Sequence, residues 1–291
     1  MNFEDAYQEL KEIREKGGRE SERVIELWNA CVRDLSYKLG DEIWIIYEQV
    51  FISALDTAET VIAVECFNAL EVKFKGSSRV KRLYAMLLEY QECYDDAKRV
   101  YENLLKEDPT NVLTIKRFIA ILKAQSRPIE AIRELNKYLE NFMSDYEAWG
   151  ELCNLYLAEC DYKKAAFCME ELILSNPHNH LYHQIYAEIK YTEGGIENLE
   201  IARSYFAEAC KLNEKNMRAL FGLQLTSLNL AQNSKVSKEL KKECQKSVVW
   251  ATETIAKLYE SVTVDIDSVT EVGSELTSLI DRLEITSGNS D

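Results

Sequence analysis

Proline and glycine are scarce in this sequence, 3 and 10 in a chain of 291 residues. Together they fall below half of the ~12% that an average soluble protein carries. All-β sandwiches, collagen-like chains and low-complexity linkers depend on those two residues, so all three are excluded. Positive charge is also in deficit: 35 Lys and Arg face 50 Asp and Glu, a formal charge of −15. Coating nucleic acid requires Lys and Arg to displace counterions from phosphates, and attraction to anionic lipid draws on the same residues. Neither fits as a general role. With 46% hydrophobic residues the chain is equally no disordered acidic tail.

Targeting and redox signals are missing too. Residues Met1 to Lys16 alternate charge with single apolar side chains and lack the apolar core of a signal peptide. No stretch approaches the ~18 uncharged apolar residues of a membrane-spanning helix, and no N-x-S/T sequon occurs. The eight cysteines, Cys31, Cys66, Cys93, Cys153, Cys160, Cys168, Cys210 and Cys244, include no C-x-x-C pair. Thioredoxin-type redox chemistry and zinc ribbons therefore lack their minimum spacing. The expectation is a cytosolic protein whose thiols are reduced and mostly packed as small apolar groups.

No catalytic constellation is present: there is no G-x-S-x-G, Walker A, G-x-G-x-x-G or H-E-x-x-H. The pairs Gly17-Gly18 and Gly194-Gly195 lack the strand context of a phosphate loop and read as turns between helices. All three histidines fall in Pro177-His178-Asn179-His180-Leu181-Tyr182-His183. His180 and His183, three apart at a helix start, have a spacing that two ligands of one metal can take. The repeat described next accounts for them without a metal, as a turn residue and a core residue. No enzymatic activity, cofactor or metal is expected.

What is present is a period. Ala63, Ala97, Ala131 and Ala165 stand 34 residues apart, and Ala202 follows after 37. Four residues behind each come Phe67, Tyr101, Leu135, Met169 and Phe206, and seven behind come Leu70, Leu104, Tyr138, Leu172 and Ala209. Sixteen residues upstream of the Ala lie Lys81, Ile115 and Trp149, a role that Trp44 and His183 take with three extra residues. Three residues further on come Tyr47, Tyr84, Phe118, Leu152 and Tyr186. Pro109 and Pro177 take the terminating position, whereas Lys75, Met143 and Glu214 do not conform. This is the tetratricopeptide pattern, in which small residues let two helices of a pair approach and large ones fill the groove beside them. The pattern predicts an all-α solenoid with repeats at 41–77, 78–111, 112–145, 146–179 and 180–216. The three extra residues near Gly194-Gly195 are expected to lengthen an inter-helix turn.

A helix pair cannot bury its apolar face alone, so both ends need caps. Residues 1–40 are expected to form the N-terminal cap, two helices broken at Gly17-Gly18. Val24, Ile25, Trp28, Cys31, Val32 and Leu35 would form the apolar stripe of the second. Residues 217–260 read as a degenerate sixth repeat, with Leu220 and Leu223 in register and a long helix over Lys235 to Tyr259. Residues 261–291 read as a linker, a terminal helix around Val269 to Leu283 and a tail from Thr286.

In this architecture the first helix of each repeat lines the inner face. The register points Ile45 and Gln49 inward from the first repeat, then Arg79, Arg82 and Met86 from the second. Lys116, Arg117 and Lys123 follow from the third and Asn154 from the fourth. Gln184 and Glu188 come from the fifth, Phe221 and Leu225 from the sixth. Between Arg79 and Lys137 there are 12 basic and 9 acidic residues, so an acidic chain carries a locally basic centre. The patch Arg79, Arg82, Lys116, Arg117 and Lys123 is a candidate docking surface for an acidic partner segment, set against the plainer reading of a salt-bridged solvated face. Repeat proteins that clamp a terminal carboxylate pair Lys and Asn four apart on one inner helix. Here Lys116 is followed by Ala120 and Asn154 is preceded by Gly150, so a chaperone adaptor stands as the alternative function, without its key feature.

Six segments carry a more specific likeness: KLGDEIWIIYEQV (38–50), EDPTN (107–111), AIRELNKYLE (131–140), YKKAAFCMEEL (162–172), NPHNHLY (176–182) and NMRALFGL (216–223). Over roughly residues 20–260 they resemble the subunit 2 family of the endoplasmic reticulum membrane protein complex. The resemblance implies a non-catalytic scaffold, peripheral on the cytoplasmic side of the endoplasmic reticulum membrane, within an insertase for tail-anchored and multipass proteins. The partners it implies are cytosolic segments of the membrane-embedded subunits and the cytosolic subunit 8 or its paralogue 9.

Overall fold

The computed structural model describes residues 2–263. The cap opens with α1 (Phe3–Lys16) and α2 (Ser21–Leu27), then a π-helical turn (Trp28–Val32) and a 3-10 segment (Ser36–Glu42). Six further pairs of helices follow in sequence: α3 (Ile43–Asp56) and α4 (Thr60–Lys73), α5 (Ser78–Tyr90) and α6 (Tyr94–Glu107), α7 (Val112–Ala124) and α8 (Pro128–Asn141), α9 (Tyr146–Ala158) and α10 (Tyr162–Ser175), α11 (His180–Glu193) and α12 (Ile196–Leu212), α13 (Met217–Gln232) and α14 (Lys238–Thr263). No strand occurs among the described residues. Contacts divide the chain into two compact units, residues 1–131 and 132–291, with the boundary inside α8.

The residues picked out by the period form the cores of both units. Ala63, Ala97 and Ala131 are fully buried in the first unit, and Ala165 and Ala202 in the second. Every residue four and seven places behind them is buried as well, from Phe67 and Leu70 through Phe206 and Ala209. The second unit shows why the position must be small: the Cys153 thiol of α9 lies 3.6 Å from the Ala165 carbonyl oxygen of α10. Tyr84 departs from the pattern, since it is exposed and stacks on Phe67 from outside.

Helix ends repeat with the same period. Asn111, Asp145 and Asn179, each 34 residues apart, accept a backbone N–H with their side chains at the starts of α7, α9 and α11, and Asn216 does so for α13. Pro109 and Pro177 follow helix ends, and Pro128 opens α8, where its missing N–H has no intrahelical partner to lose.

The turn inside each pair is more unusual. Ala58, Glu92, Ser126 and Cys160 adopt left-handed backbone angles, φ 55 to 61°, and are themselves 34 residues apart. At Ser126 its own N–H bonds to the Lys123 carbonyl at 2.9 Å, and the next N–H, of Arg127, bonds to the Leu122 carbonyl at 2.9 Å. This is a Schellman cap, whose left-handed position glycine fills without crowding its Cβ against the chain. Ser126→Gly is therefore expected to stabilise the chain by up to about 1 kcal/mol, the relief of ~1–2 kcal/mol of backbone crowding less the extra freedom glycine brings to the unfolded state. Thermal unfolding checks this: Tm rises by a degree or more.

Three expectations need correction. The three extra residues of the fifth repeat do not lengthen its inter-helix turn. Only Gly194 and Gly195 connect α11 to α12, at φ 77 and 88°, and the additions extend α12 to 17 residues. The second helix of the cap stops at Leu27 and passes into the π turn, although Val24, Ile25, Trp28 and Val32 are buried as the stripe predicts. The long helix runs over Lys238–Thr263, so residues 261–263 continue it and do not begin a linker. The expected helix around Val269 to Leu283 and the tail lie outside the described residues.

Candidate functional site

Within the first unit, α3, α5 and α7 carry the predicted inner face, and ion pairs tie the three together. Arg79 of α5 meets Glu48 of α3 at 2.5 Å. Arg117 of α7 meets Glu89 of α5 at 3.3 Å, while the buried Tyr101 hydroxyl of α6 donates to the other oxygen of Glu89. Burial pushes the Glu89 carboxyl up from its ordinary value, against the opposing influence of Tyr101 and Arg117. Burial, helped by Glu89, pushes the Tyr101 phenol upward in turn, so it stays the proton donor of the pair.

Arg82, three residues from Arg79 on α5, is near enough to Glu48, Arg79, Tyr101 and Arg117 to feel each of them, and differs from both pairs. It is half-buried on α5, and among the described residues no carboxylate comes within ion-pairing distance of it. Desolvation lowers its pKa first; Glu48 opposes, Arg79 adds to the lowering, Tyr101 opposes, and Arg117 adds again. Lys116 is half-buried and Lys123 exposed on α7. Of these five cations, Arg79 and Arg117 are paired with Glu48 and Glu89.

Not every predicted inner residue offers its side chain. Met86 is buried in the core of the first unit. Gln49 is held by the cap: its amide donates to the Leu10 carbonyl at 3.0 Å and its oxygen accepts from Arg14 at 3.2 Å. Beside it Ile45 is exposed, and the Tyr7 hydroxyl donates to Glu42. In the second unit Asn154 is exposed, but Gln184 is buried and donates to Glu188 at 3.0 Å. Glu188 also receives a two-pronged contact from Arg218, at 2.6 and 3.0 Å. Phe221 and Leu225, four apart on α13, are 38 and 50% exposed. The inward stripe of the register misses Glu48 and Glu89, yet both were within its reach: Glu48 stands three residues from Ile45, and Glu89 three from Met86.

The histidines fall where the repeat puts them. His183 is buried, stacks on Tyr205 and donates from Nε2 to the Pro177 carbonyl at 2.8 Å. His180 faces the side-chain amides of Asn216 and Asn213 at 2.9 and 3.0 Å, and no cluster of three or more metal-ligating side chains occurs among the described residues. Cys66, Cys153, Cys168 and Cys210 are buried, and desolvation pushes their thiols up to about 12, 11, 12 and 12. They are protonated apolar fillers. Among the described residues no helix is long and apolar enough to cross a membrane.

Packed helix pairs on a 34-residue period, with a charged inner-helix face, define a tetratricopeptide-repeat α-solenoid. A solved structure of the same fold, the C-terminal part of a TPR repeat-containing protein from Cytophaga hutchinsonii, superposes with TM-score 0.59 at 14% identity, covering 94% of this chain and 99% of that one. The sequence profile of the EMC2 TPR-like repeat domain matches residues 60–194. ER membrane protein complex subunit 2 of Xenopus tropicalis is 51% identical over 284 residues, 98% of this chain and 95% of its own. The protein of that name from Dictyostelium discoideum is 32% identical, covering 87% of this chain and 82% of its own. TPR repeat protein oca3 of Schizosaccharomyces pombe is 30% identical, covering 84 and 89%. The chain belongs to the ER membrane protein complex subunit 2 family.

Proposed function

We propose that the chain is a non-catalytic scaffold subunit of an endoplasmic reticulum membrane protein complex, bound peripherally on the cytoplasmic side. It would organise the cytosolic parts of an insertase for tail-anchored and multipass membrane proteins. Its partners in this reading are cytosolic segments of the membrane-embedded subunits and the cytosolic subunit 8 or 9. Family membership supports the assignment to the complex. What supports the docking role is the concentration of Arg79, Arg82, Lys116, Arg117 and Lys123 on α5 and α7 in a chain of net charge −15. A scaffold acts by position: several weakly bound segments held together reach high effective concentration in a fixed geometry.

Charge reversal of Lys116 and Arg117 to Glu tests this. The variant is expected to keep its helical circular dichroism and to lose the membrane subunits on purification in mild detergent, because opposite charge at a desolvating contact costs several kcal/mol. Full recovery of those subunits would dismiss the basic face as the docking surface.

A further inference from the structure

Each of the two outer arginines on the basic face already has its anion within the chain. Glu48 holds Arg79 at 2.5 Å, and Glu89 holds Arg117 at 3.3 Å. Both carboxylates are mostly covered, with side chains 15% exposed, so neither swings freely to a new partner. Arg82 lies among these groups, half-buried, and has no ion-pair partner among the described residues. A guanidinium in that position has surrendered part of its hydration without a carboxylate in contact; Glu48 compensates only at longer range, and its neighbours Arg79 and Arg117 add like charge. That arrangement is costly in the free chain and favourable once an anion arrives. The guanidinium fork suits a planar carboxylate, which it binds through two parallel N–H donors.

We infer that Arg82 is the anchor of the docking face, taking one Asp or Glu side chain of an acidic partner segment that lies across α3, α5 and α7. The flanking pairs Glu48–Arg79 and Glu89–Arg117 act as fences. Each is neutral as a pair, so an extra carboxylate is drawn to the gap between them. Glu48 and Glu89 also repel a carboxylate placed out of register, which confines the acidic residue to one position along the groove. This inference rests on the docking role proposed above and adds the residue and the partner chemistry.

The test uses the full chain in its membrane complex, purified in mild detergent. Arg82→Gln is expected to lower recovery of the membrane subunits about tenfold or more, in line with removing one member of a desolvated charge pair, with thermal unfolding of the isolated chain unchanged within a degree or two. Arg82→Lys keeps the charge and supplies an amine that a water-soluble carbodiimide condenses with a carboxylate in contact, the reagent taking up the water. Mass spectrometry is expected to find position 82 joined to an Asp or Glu of another chain. A link only to Glu48 or another residue of the same chain, or unchanged recovery with Arg82→Gln, would overturn the inference. So would an Arg82→Gln variant that keeps its subunits and loses only its pelleting with phosphatidylserine vesicles, since the anion would then be a lipid. If the unsubstituted chain brings no membrane subunits at all, the scaffold reading itself has failed. That outcome is distinct from a failure at Arg82 alone.

Discussion

Ala165→Trp is expected to prevent the second unit from packing, with a loss of at least about 3 kcal/mol. Ala165 is fully buried on α10, and α9 comes so close that the Cys153 thiol reaches the Ala165 carbonyl oxygen at 3.6 Å. An indole has no space between two backbones at that separation, so the pair must open, and opening exposes Leu152, Met169 and Leu172, all buried now. The repeat architecture spreads the damage, because each pair buries its face only against its neighbours. Thermal unfolding by circular dichroism reads the result: a fall of many degrees or no folded protein. An unchanged Tm would mean that the 34-residue register is wrong.

Gly222→Ala is the second large effect, and two forces oppose each other there. Gly222 lies within α13, where alanine would gain about 1 kcal/mol in helix propensity. A Cβ at that position, however, would stand 2.4 Å from Cε1 and 2.5 Å from Cζ of Phe206. Phe206 is the large residue behind Ala202, buried in a cluster with Ala209, Leu220 and Leu223. Its ring cannot retreat without displacing them. Overpacking of this kind costs ~1–3 kcal/mol, and a contact this close falls at the upper end, so the clash outweighs propensity and a net loss of up to about 2 kcal/mol is expected. The specific check is the double variant: Phe206→Leu with Gly222→Ala should be less destabilised than the two single changes added together. Additive losses would place the strain elsewhere.

These two sites show which parts of the fold were legible in the sequence. Small residues such as Ala165 were legible because helix approach restricts the side chain itself, and four alanines kept one spacing with a fifth, Ala202, three residues late. The left-handed turn positions were not. Ala58, Glu92, Ser126 and Cys160 hold the same 34-residue spacing, but their requirement falls on the backbone, and none is the glycine that would have announced it. The scarcity of glycine thus concealed a second copy of the period. Gly194-Gly195 misled in the opposite direction: a glycine pair suggested a longer turn, whereas the added residues extended α12.

The candidate site divides in the same manner. Cations on inner helices followed from the register, and Arg79 and Arg117 are near enough to act on Arg82. Their partners Glu48 and Glu89 belong to the same helices, but an ion pair between helices depends on how repeats stack, which spacing within one helix does not specify. Gln49 is the clearest case. Its position on α3 points inward by periodicity, yet α1 claims it through Leu10 and Arg14, residues 39 and 35 places away in sequence. The cap has no repeat register from which that contact could be read.

If this chain holds other subunits of a membrane complex through its inner-helix face, those subunits leave the membrane with it. The decisive experiment is purification of the tagged chain from endoplasmic reticulum membranes in mild detergent, followed by identification of the proteins recovered with it. Recovery of the membrane-embedded subunits of the complex, in fixed proportion to the chain, is the predicted result. A chain recovered alone, or only with chaperones whose C-termini read EEVD, would contradict it.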